Sequence, residues 1–579
     1  MSSLGHQLAT SVLVVGAGGS GLRAAIEVAE AGVAVIAVAK RTAGGAHPAA
    51  PSDGPVRATT TDAGEVWEGH AAATLREGRL LADPRTAQIV ARYARQGFQD
   101  VGRYGAQAGR RGPGGPGGHR PWHPPHRRAV YGDEYTGAQV RRALRARAAE
   151  LGIPVLTGVY VTRLLVDDGS VFGAYGFGLA DGERYLVHAD AVILATGGHT
   201  RIWRRTSARR GESGGDAFRL AVEAGARLRD PELVQFHPLG LLGPEHAAGT
   251  PVTEAARGAG GVLLNSLGER FMARYDAERL ERGRRERVTL AAYTEIKAGR
   301  GTRAGGVWLD LSHLPRETVL TRLPQLHQTL LDVQTLDITR DPVEVAPTAQ
   351  YAMGGVWVRP EDHSTEVNGL FVTGEAASGL PGANRVEENA LSELLVYGRI
   401  TGRAAAEYSA GLTAQQRSPA AVRAAEAQVN RLLTADGDQN VRTLLRSVRH
   451  LMTERAGVVR DEAGLTAGLA GLDEIEDRIE GVGVHIDIGG FQDLAYAYDL
   501  RSAVVAARGT LECARERRET RGSHHRSDYP DVDPDLTVNL VWSPATGVRR
   551  EPVPPIPTDI VELMGDVAAD TASPEWWEE

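Results

Sequence analysis

The chain has 579 residues, of which 42% are hydrophobic and 24% charged. This is ordinary globular usage; it excludes global disorder and predicts several domains, or one large domain with insertions. The 65 basic and 73 acidic residues give a net charge of −8, which argues against a general nucleic-acid binder. One cysteine, Cys513, excludes an internal disulfide, a Cys-ligated iron–sulfur cluster and a four-Cys zinc site, and no metal ligands are assigned. The N-terminal MSSLGHQLAT lacks the basic start and apolar core of a secretory signal. No run of about 18 apolar residues appears either, so a cytoplasmic location is expected.

Residues 12–15, VLVV, predict a short buried strand. Gly16-Ala17-Gly18-Gly19-Ser20-Gly21 follows, then a helix with apolar spacing of three and four ending at Gly32, then a second strand over 33–38. A GxGxxG turn between strand and helix signals a dinucleotide. The first glycine allows the tight turn, the second lets the backbone approach a pyrophosphate, and the third lets helix and strand pack closely. The second strand ends at Ala39-Lys40 without the acidic residue of a standard NAD ribose contact, which favours FAD.

The Gly-, Pro- and Arg-rich stretch 110–128 reads as a surface loop. A helix is predicted over 137–151, with strands at 154–157 and 171–176. AVILATGG, 191–198, is a second buried strand whose end returns Thr196 and Gly197 to the cofactor. GGDAFRLAVEAGA, 214–226, places Asp216 at a helix N-cap, which is compatible with a nucleotide contact. Residues 240–345 read as an inserted lobe of short strands and an arginine-rich helix. GLFVTGEAASG, 369–379, is another strand and glycine turn. Residues 419–517 read as helical, with breaks near Asp436-Gly437-Asp438 and from Gly464 to Gly471. The Pro- and Asp-rich 521–579 reads as a loop-rich tail. The expected fold is α/β. A Rossmann-like FAD-binding domain in two parts, 1–239 and 347–412, carries an inserted α+β capping domain, 240–346, and is followed by a helical domain, 413–520, and the tail.

Eight motifs stand in order: GAGGSG (16–21), VQFHPLG (234–240), TEAARGAGGVLLNSLGERFM (253–272), EIKAGRG (295–301), PTAQYAMGG (347–355), GLFVTGEAASG (369–379), GANRVEENALSELLVYGR (382–399) and RGSHHRSDYPDVD (521–533). On these the chain resembles the flavoprotein subunits of succinate dehydrogenase and fumarate reductase, a family that also contains L-aspartate oxidase. The tail favours the succinate/fumarate branch. The resemblance implies hydride transfer between a small dicarboxylate and flavin N5. It implies substrate binding by His237, Thr253, Glu254, Gln350 and Arg385, and proton transfer by Arg285 with Glu254 and Arg257 on its proton path. FAD contacts are implied at Gly16, Gly18, Gly19, Gly21, Lys40, Thr196, Gly197, Asp216, Glu375, Asn389, Ala390 and Leu391. His47, seven residues after Lys40, has the spacing at which the family attaches flavin covalently. The implied electron partner is an iron–sulfur subunit, with any membrane contact made through partners.

The chemistry supports such roles. Arginine grips a carboxylate with two parallel N–H bonds, and histidine and threonine complete the grip as donors. Arginine is an unusual proton carrier because its solution pKa exceeds about 12. Pairing with Glu254 favours the charged form, which suits an acid better than a base. The proton step is therefore expected to run more easily in the reducing direction.

Several positions depart from the family pattern. Gln350 replaces the histidine of PTxHY, Leu239 the threonine of HPTG, and Pro381 the histidine before GANR; Pro48, Ser52 and Pro116 also differ. Gln350 can donate a hydrogen bond but cannot be cationic, and Leu239 removes a hydroxyl. Arg285 and Arg385 are kept. Hydride chemistry is therefore expected to survive, with the identity of the acid open. The alternatives are a stand-alone flavin oxidase or dehydrogenase of aspartate or a related acid, and a flavin-binding scaffold without catalysis.

Overall fold

The computed structural model describes residues 5–41, 67–106, 136–386, 389–486 and 489–565, with four two-residue strands between 110 and 129. His47, Pro48 and Ser52 lie outside the described residues.

Strand β1 (His6–Val15) runs parallel to β2 (Val35–Ala39) on one side and to Arg184–Leu194 on the other, with helix α1 (Gly19–Glu30) crossing between β1 and β2. Val155–Thr157 extends the sheet beyond β2, and Leu370–Val372 pairs in parallel with the last three residues of Arg184–Leu194. The first half of that strand pairs antiparallel with Ser170–Gly178, which pairs with Val159–Asp167. Side chains alternate across a strand. Val12 and Val14 therefore share a core with Leu22, Ile26 and Leu395, whereas Leu13 and Val15 share one with Tyr160, Phe177 and Tyr498. Both faces are covered, which is why VLVV is uniformly apolar.

A second sheet is antiparallel, in the order Val234–Leu241, Val343–Ala352, Val307–Asp310, Val262–Leu264. The boundaries expected at 239/240 and 346/347 fall inside the first two strands. One ladder thus joins the lobe to the rest of the chain.

The helical region consists of Pro419–Thr434, Val441–Arg455, Glu462–Ile479 and Gln492–Glu516. The break near Gly437 is present. The break expected from Gly464 to Gly471 is not, because Glu462–Ile479 runs through both glycines. A Cβ on Gly468 would lie 2.9 Å from Leu511, and one on Gly471 2.9 Å from Leu451. These glycines let neighbouring helices approach, and the chain turns earlier, between Arg455 and Glu462.

The tail also differs from expectation. Val538–Ser543 and Gly547–Pro552 form a hairpin, and the first of them pairs with Leu228–Arg229. Leu540 and Trp542 alternate into the core, while Asn539 bonds to Asp230 and Arg229. Among the described residues no helix is long and apolar enough to cross a membrane.

Candidate active site

Arg285 opens the helix Arg285–Glu295. Its Nε donates to Glu254 Oε1 at 2.8 Å, and its Nη1 donates to Gln235 Oε1 at 2.8 Å and Gln350 Oε1 at 3.2 Å. Three acceptors from three segments fix a side chain that otherwise has many rotamers. Arg257 Nη2 lies 2.9 Å from the same Glu254 oxygen, and Arg257 also donates to the carbonyls of Glu281 and Gly283. Burial acts to raise the pKa of Glu254, but the guanidinium groups of Arg285 and Arg257 outweigh it and hold the carboxyl well below the usual range. The result is one anion shared by two cations. Thr253 accepts from the Ala255 amide at 3.1 Å and so shapes the turn that carries Glu254 and Arg257.

His237 lies two residues after Gln235 on the same strand, and both reach this cluster. The Leu239 amide donates to His237 Nδ1 at 3.1 Å, so the ring proton sits on Nε2, which lies 3.9 Å from Glu254 Oε1. Burial, then the charge of Arg285, lowers the His237 pKa to about 3. His237 is therefore a neutral N–H donor. Leu239, which carries no hydroxyl, packs its side chain into the lobe's core with Leu241, Val252 and Leu263, and the position meets His237 through its main-chain N–H.

The Arg385 guanidinium carbon lies 4.3 Å from the centre of the Tyr351 ring, within cation–π range. The Tyr351 hydroxyl donates to Glu393 Oε2 at 3.0 Å. Burial pushes the carboxyls of Glu393 and Glu375 up to about 7. Gln235 links the two arginines: its oxygen accepts from Arg285, and its nitrogen donates to the Arg385 carbonyl at 3.2 Å and to Asn384 Oδ1 at 3.0 Å. Gln235 thereby ties the Arg385 main chain to the cluster of Arg285, Glu254, Arg257, His237 and Gln350, with Thr253 in the adjoining turn. Gln235, Tyr351, Asn384 and Glu393 were not assigned from the sequence. The available signals were the two-residue spacing of Gln235 from His237 and the positions of the other three inside motifs already singled out.

A second constellation surrounds the start of α1. Gly16 has φ +114°, and a Cβ there would lie 2.2 Å from the Ala195 carbonyl oxygen; one on Gly21 would lie 1.9 Å from the Gly16 carbonyl oxygen. Gly18 caps α1 without a side-chain bond, Gly19 is its first residue, and the first turn carries no acidic side chain. The helix therefore presents main-chain N–H groups suited to phosphate. Thr196 Oγ1 is buried with no partner among the described residues, and Gly197 beside it has φ +79°. Glu375, in the turn Gly374–Ala376, accepts from the Ala352 amide at 3.0 Å. The close-packed glycine cradle, the open helix start and the orphaned Thr196 hydroxyl together fit a flavin dinucleotide.

Three expected cofactor residues, Asp216, Lys40 and Asn389, also bond within the protein. Asp216 is not the N-cap, because Gly215 takes that place with φ +88°, a conformation that disfavours side chains, and Asp216 begins the helix. Its carboxylate lies 2.5 Å from Lys40 Nζ and accepts from Ser502 at 2.9 Å and Tyr160 at 3.2 Å. Burial acts to raise the Asp216 pKa, but Lys40 outweighs it and the carboxyl stays ionised. Lys40 also lies 2.9 Å from Asp499, which ties the end of β2 to the helix Gln492–Glu516. Asn389 bonds through its side chain to His70 at 2.8 Å and Thr74 at 2.9 Å, so it clamps two helices, while Ala390 and Leu391 stand with it in the first turn of Asn389–Gly411.

The FAD binding domain model matches residues 11–391, and the Fumarate reductase flavoprotein C-term model matches residues 445–553. A fumarate reductase (CoM/CoB) chain of Methanothermobacter marburgensis is 37% identical over 528 residues, 90% of this chain and 95% of that protein. The fumarate reductase flavoprotein subunit of Mycobacterium tuberculosis is 31% identical over 567 residues, 93% of this chain and 96% of that protein. Mycobacterium smegmatis Sdh1 in complex with UQ1 is similar at a TM-score of 0.89 and 32% identity, covering 98% of each chain. An E. coli quinol fumarate reductase structure is similar at 0.88 and 28% identity, covering 96% of this chain and 99% of that one.

Proposed function

The chain belongs to the succinate dehydrogenase and fumarate reductase flavoprotein family and is an FAD-dependent oxidoreductase, and we propose that it acts on the CH–CH bond of a small dicarboxylate of the succinate/fumarate type. FAD supplies the hydride acceptor or donor. The protein's part is to hold the acid and move one proton.

In this reading Arg385 grips one carboxylate, and neutral His237, with Thr253, donates to the other. The glycines of the α1 turn, Lys40, Thr196, Gly197, Asp216, Glu375 and the start of Asn389–Gly411 hold the cofactor. In the reducing direction a hydride adds to one alkene carbon and Arg285 delivers a proton to its neighbour, giving a saturated CH–CH bond. Oxidation reverses both transfers. Glu254 and Arg257 return the proton to Arg285. The single observation that carries this reading is the three-acceptor hold on Arg285, joined through Gln235 to Arg385.

One cysteine cannot ligate an iron–sulfur cluster, so in this reading the relay that takes the electrons sits on a partner subunit, which also makes any membrane contact. The purified FAD-loaded protein, assayed with succinate or fumarate and an artificial redox dye, tests the reading. Background turnover with both, alongside robust turnover of another acid, would overturn the substrate assignment. Hydrogen peroxide production without a partner would favour a stand-alone oxidase instead.

A further inference from the structure

Gln350 is the extra residue of a β-bulge. Gln235 pairs with Tyr351 and Phe236 pairs with Ala349, which leaves Gln350 outside the ladder. A bulge re-aims a side chain that regular alternation would send elsewhere. Here the amide reaches Arg285, whose Nη1 donates to Gln350 Oε1 at 3.2 Å. A guanidinium only donates, so the amide oxygen must face it. The bulge is held from outside, because the Ser207 amide donates to the Ala349 carbonyl at 2.9 Å and the Ser207 hydroxyl to the Gln350 carbonyl at 3.3 Å.

We propose that Gln350 is a positioning residue for Arg285, aiming its Nη1 as a neutral acceptor. The inference rests on the proton-transfer role of Arg285 proposed above. Glu254 is an anionic acceptor of Arg285, and Gln235 and Gln350 are neutral ones. A carboxylate at 350 would hold the transferable proton more tightly and repel an anionic acid. A leucine would keep much of the bulk and remove one of the two amide oxygens that aim Nη1.

The test compares Gln350→Leu and Gln350→Glu holoenzymes with wild type. The measurements are kcat and KM for fumarate with a reduced dye, the solvent deuterium isotope effect on kcat, and malonate affinity by calorimetry. Gln350→Leu should lower kcat about tenfold and enlarge the isotope effect, while malonate affinity stays within about twofold. Gln350→Glu should lower kcat further and weaken malonate binding about tenfold. If Gln350→Leu weakens malonate and raises KM while kcat and the isotope effect hold, the residue is a substrate ligand and the proposal is overturned. Should Arg285→Ala leave wild-type kcat unchanged, the role of Arg285 itself fails, and the inference falls with it.

Discussion

Glu254 Oε1 accepts the Arg285 Nε–H at 2.8 Å while Arg257 Nη2 lies 2.9 Å away on the same oxygen. A single carboxylate atom thus balances two guanidinium groups. Replacing Glu254 by Gln keeps an acceptor but removes the charge that both cations share. We expect kcat to fall about 100-fold or more, in the range of general acid–base contributions, with no rise in KM for a dianionic acid. The melting temperature should also fall, because two buried cations lose a counter-ion that they share. Unchanged kcat in steady-state assays would remove Glu254 from the proton path.

His237 gives a prediction about pH. Its folded pKa is about 3, through burial and the charge of Arg285, against an ordinary value of 6.5. Between these values the unfolded chain binds the proton and the folded one does not. The contribution of neutral His237 is therefore complete above pH 6.5 and is lost as pH falls toward 3. Chemical denaturation should show wild type losing more stability than His237→Gln on acidification through this window, by up to about 1.4 kcal/mol per pH unit. Parallel curves would mean that the ring is not buried neutral. Within pH 6 to 8 substrate affinity should not vary on account of this residue, since about pH 3 is where it titrates.

The glycines around α1 separate by geometry. A Cβ on Gly21 would lie 1.9 Å from the Gly16 carbonyl oxygen, whereas one on Gly19 would lie 3.3 Å from the flexible end of Leu394. Gly21→Ala should yield protein with little flavin per chain and a lowered melting temperature, and Gly19→Ala should keep its flavin. Absorbance near the flavin bands of the desalted proteins decides this, and equal flavin content in both variants would refute the cradle.

Much of this region was legible in the sequence because its signals are local. Strand, glycine turn and helix follow one another within a short stretch, and VLVV reads as buried because each of its side chains meets a core. What escaped was set by distant partners. Gly468 and Gly471 look like helix breakers until Leu511 and Leu451 are seen against them. Asp216 looks like a cap until Lys40 and Ser502 claim its carboxylate. Gln235 looked like the neighbour of an interesting histidine, and its joining of Arg285 to Arg385 depends on three separate segments. The hairpin in the tail was hidden by the prolines around it.

Lys40 offers a fourth test. It faces Asp216 at 2.5 Å and Asp499 at 2.9 Å and lies 4.1 Å from the centre of the Tyr160 ring. Lys40→Met strands two carboxylates together and should lower both the melting temperature and flavin affinity. Adding Asp499→Asn should recover part of the melting temperature, since the two sites share one interaction. If the two changes add independently, the end of β2 and the helix Gln492–Glu516 are not coupled through this lysine.

The hairpin of Val538–Ser543 and Gly547–Pro552 reaches back toward the strand that carries Gln235 and His237. Asp230, just upstream of Gln235, accepts the Leu540 amide at 2.7 Å across a separation of 310 residues, and the Asn539 side chain at 2.7 Å. The segment leading into the strand Val234–Leu241 is therefore docked by residues far along the chain. Without them Asp230 would lose these two partners, so the strand that carries Gln235 and His237 depends on a contact that closes a very long loop.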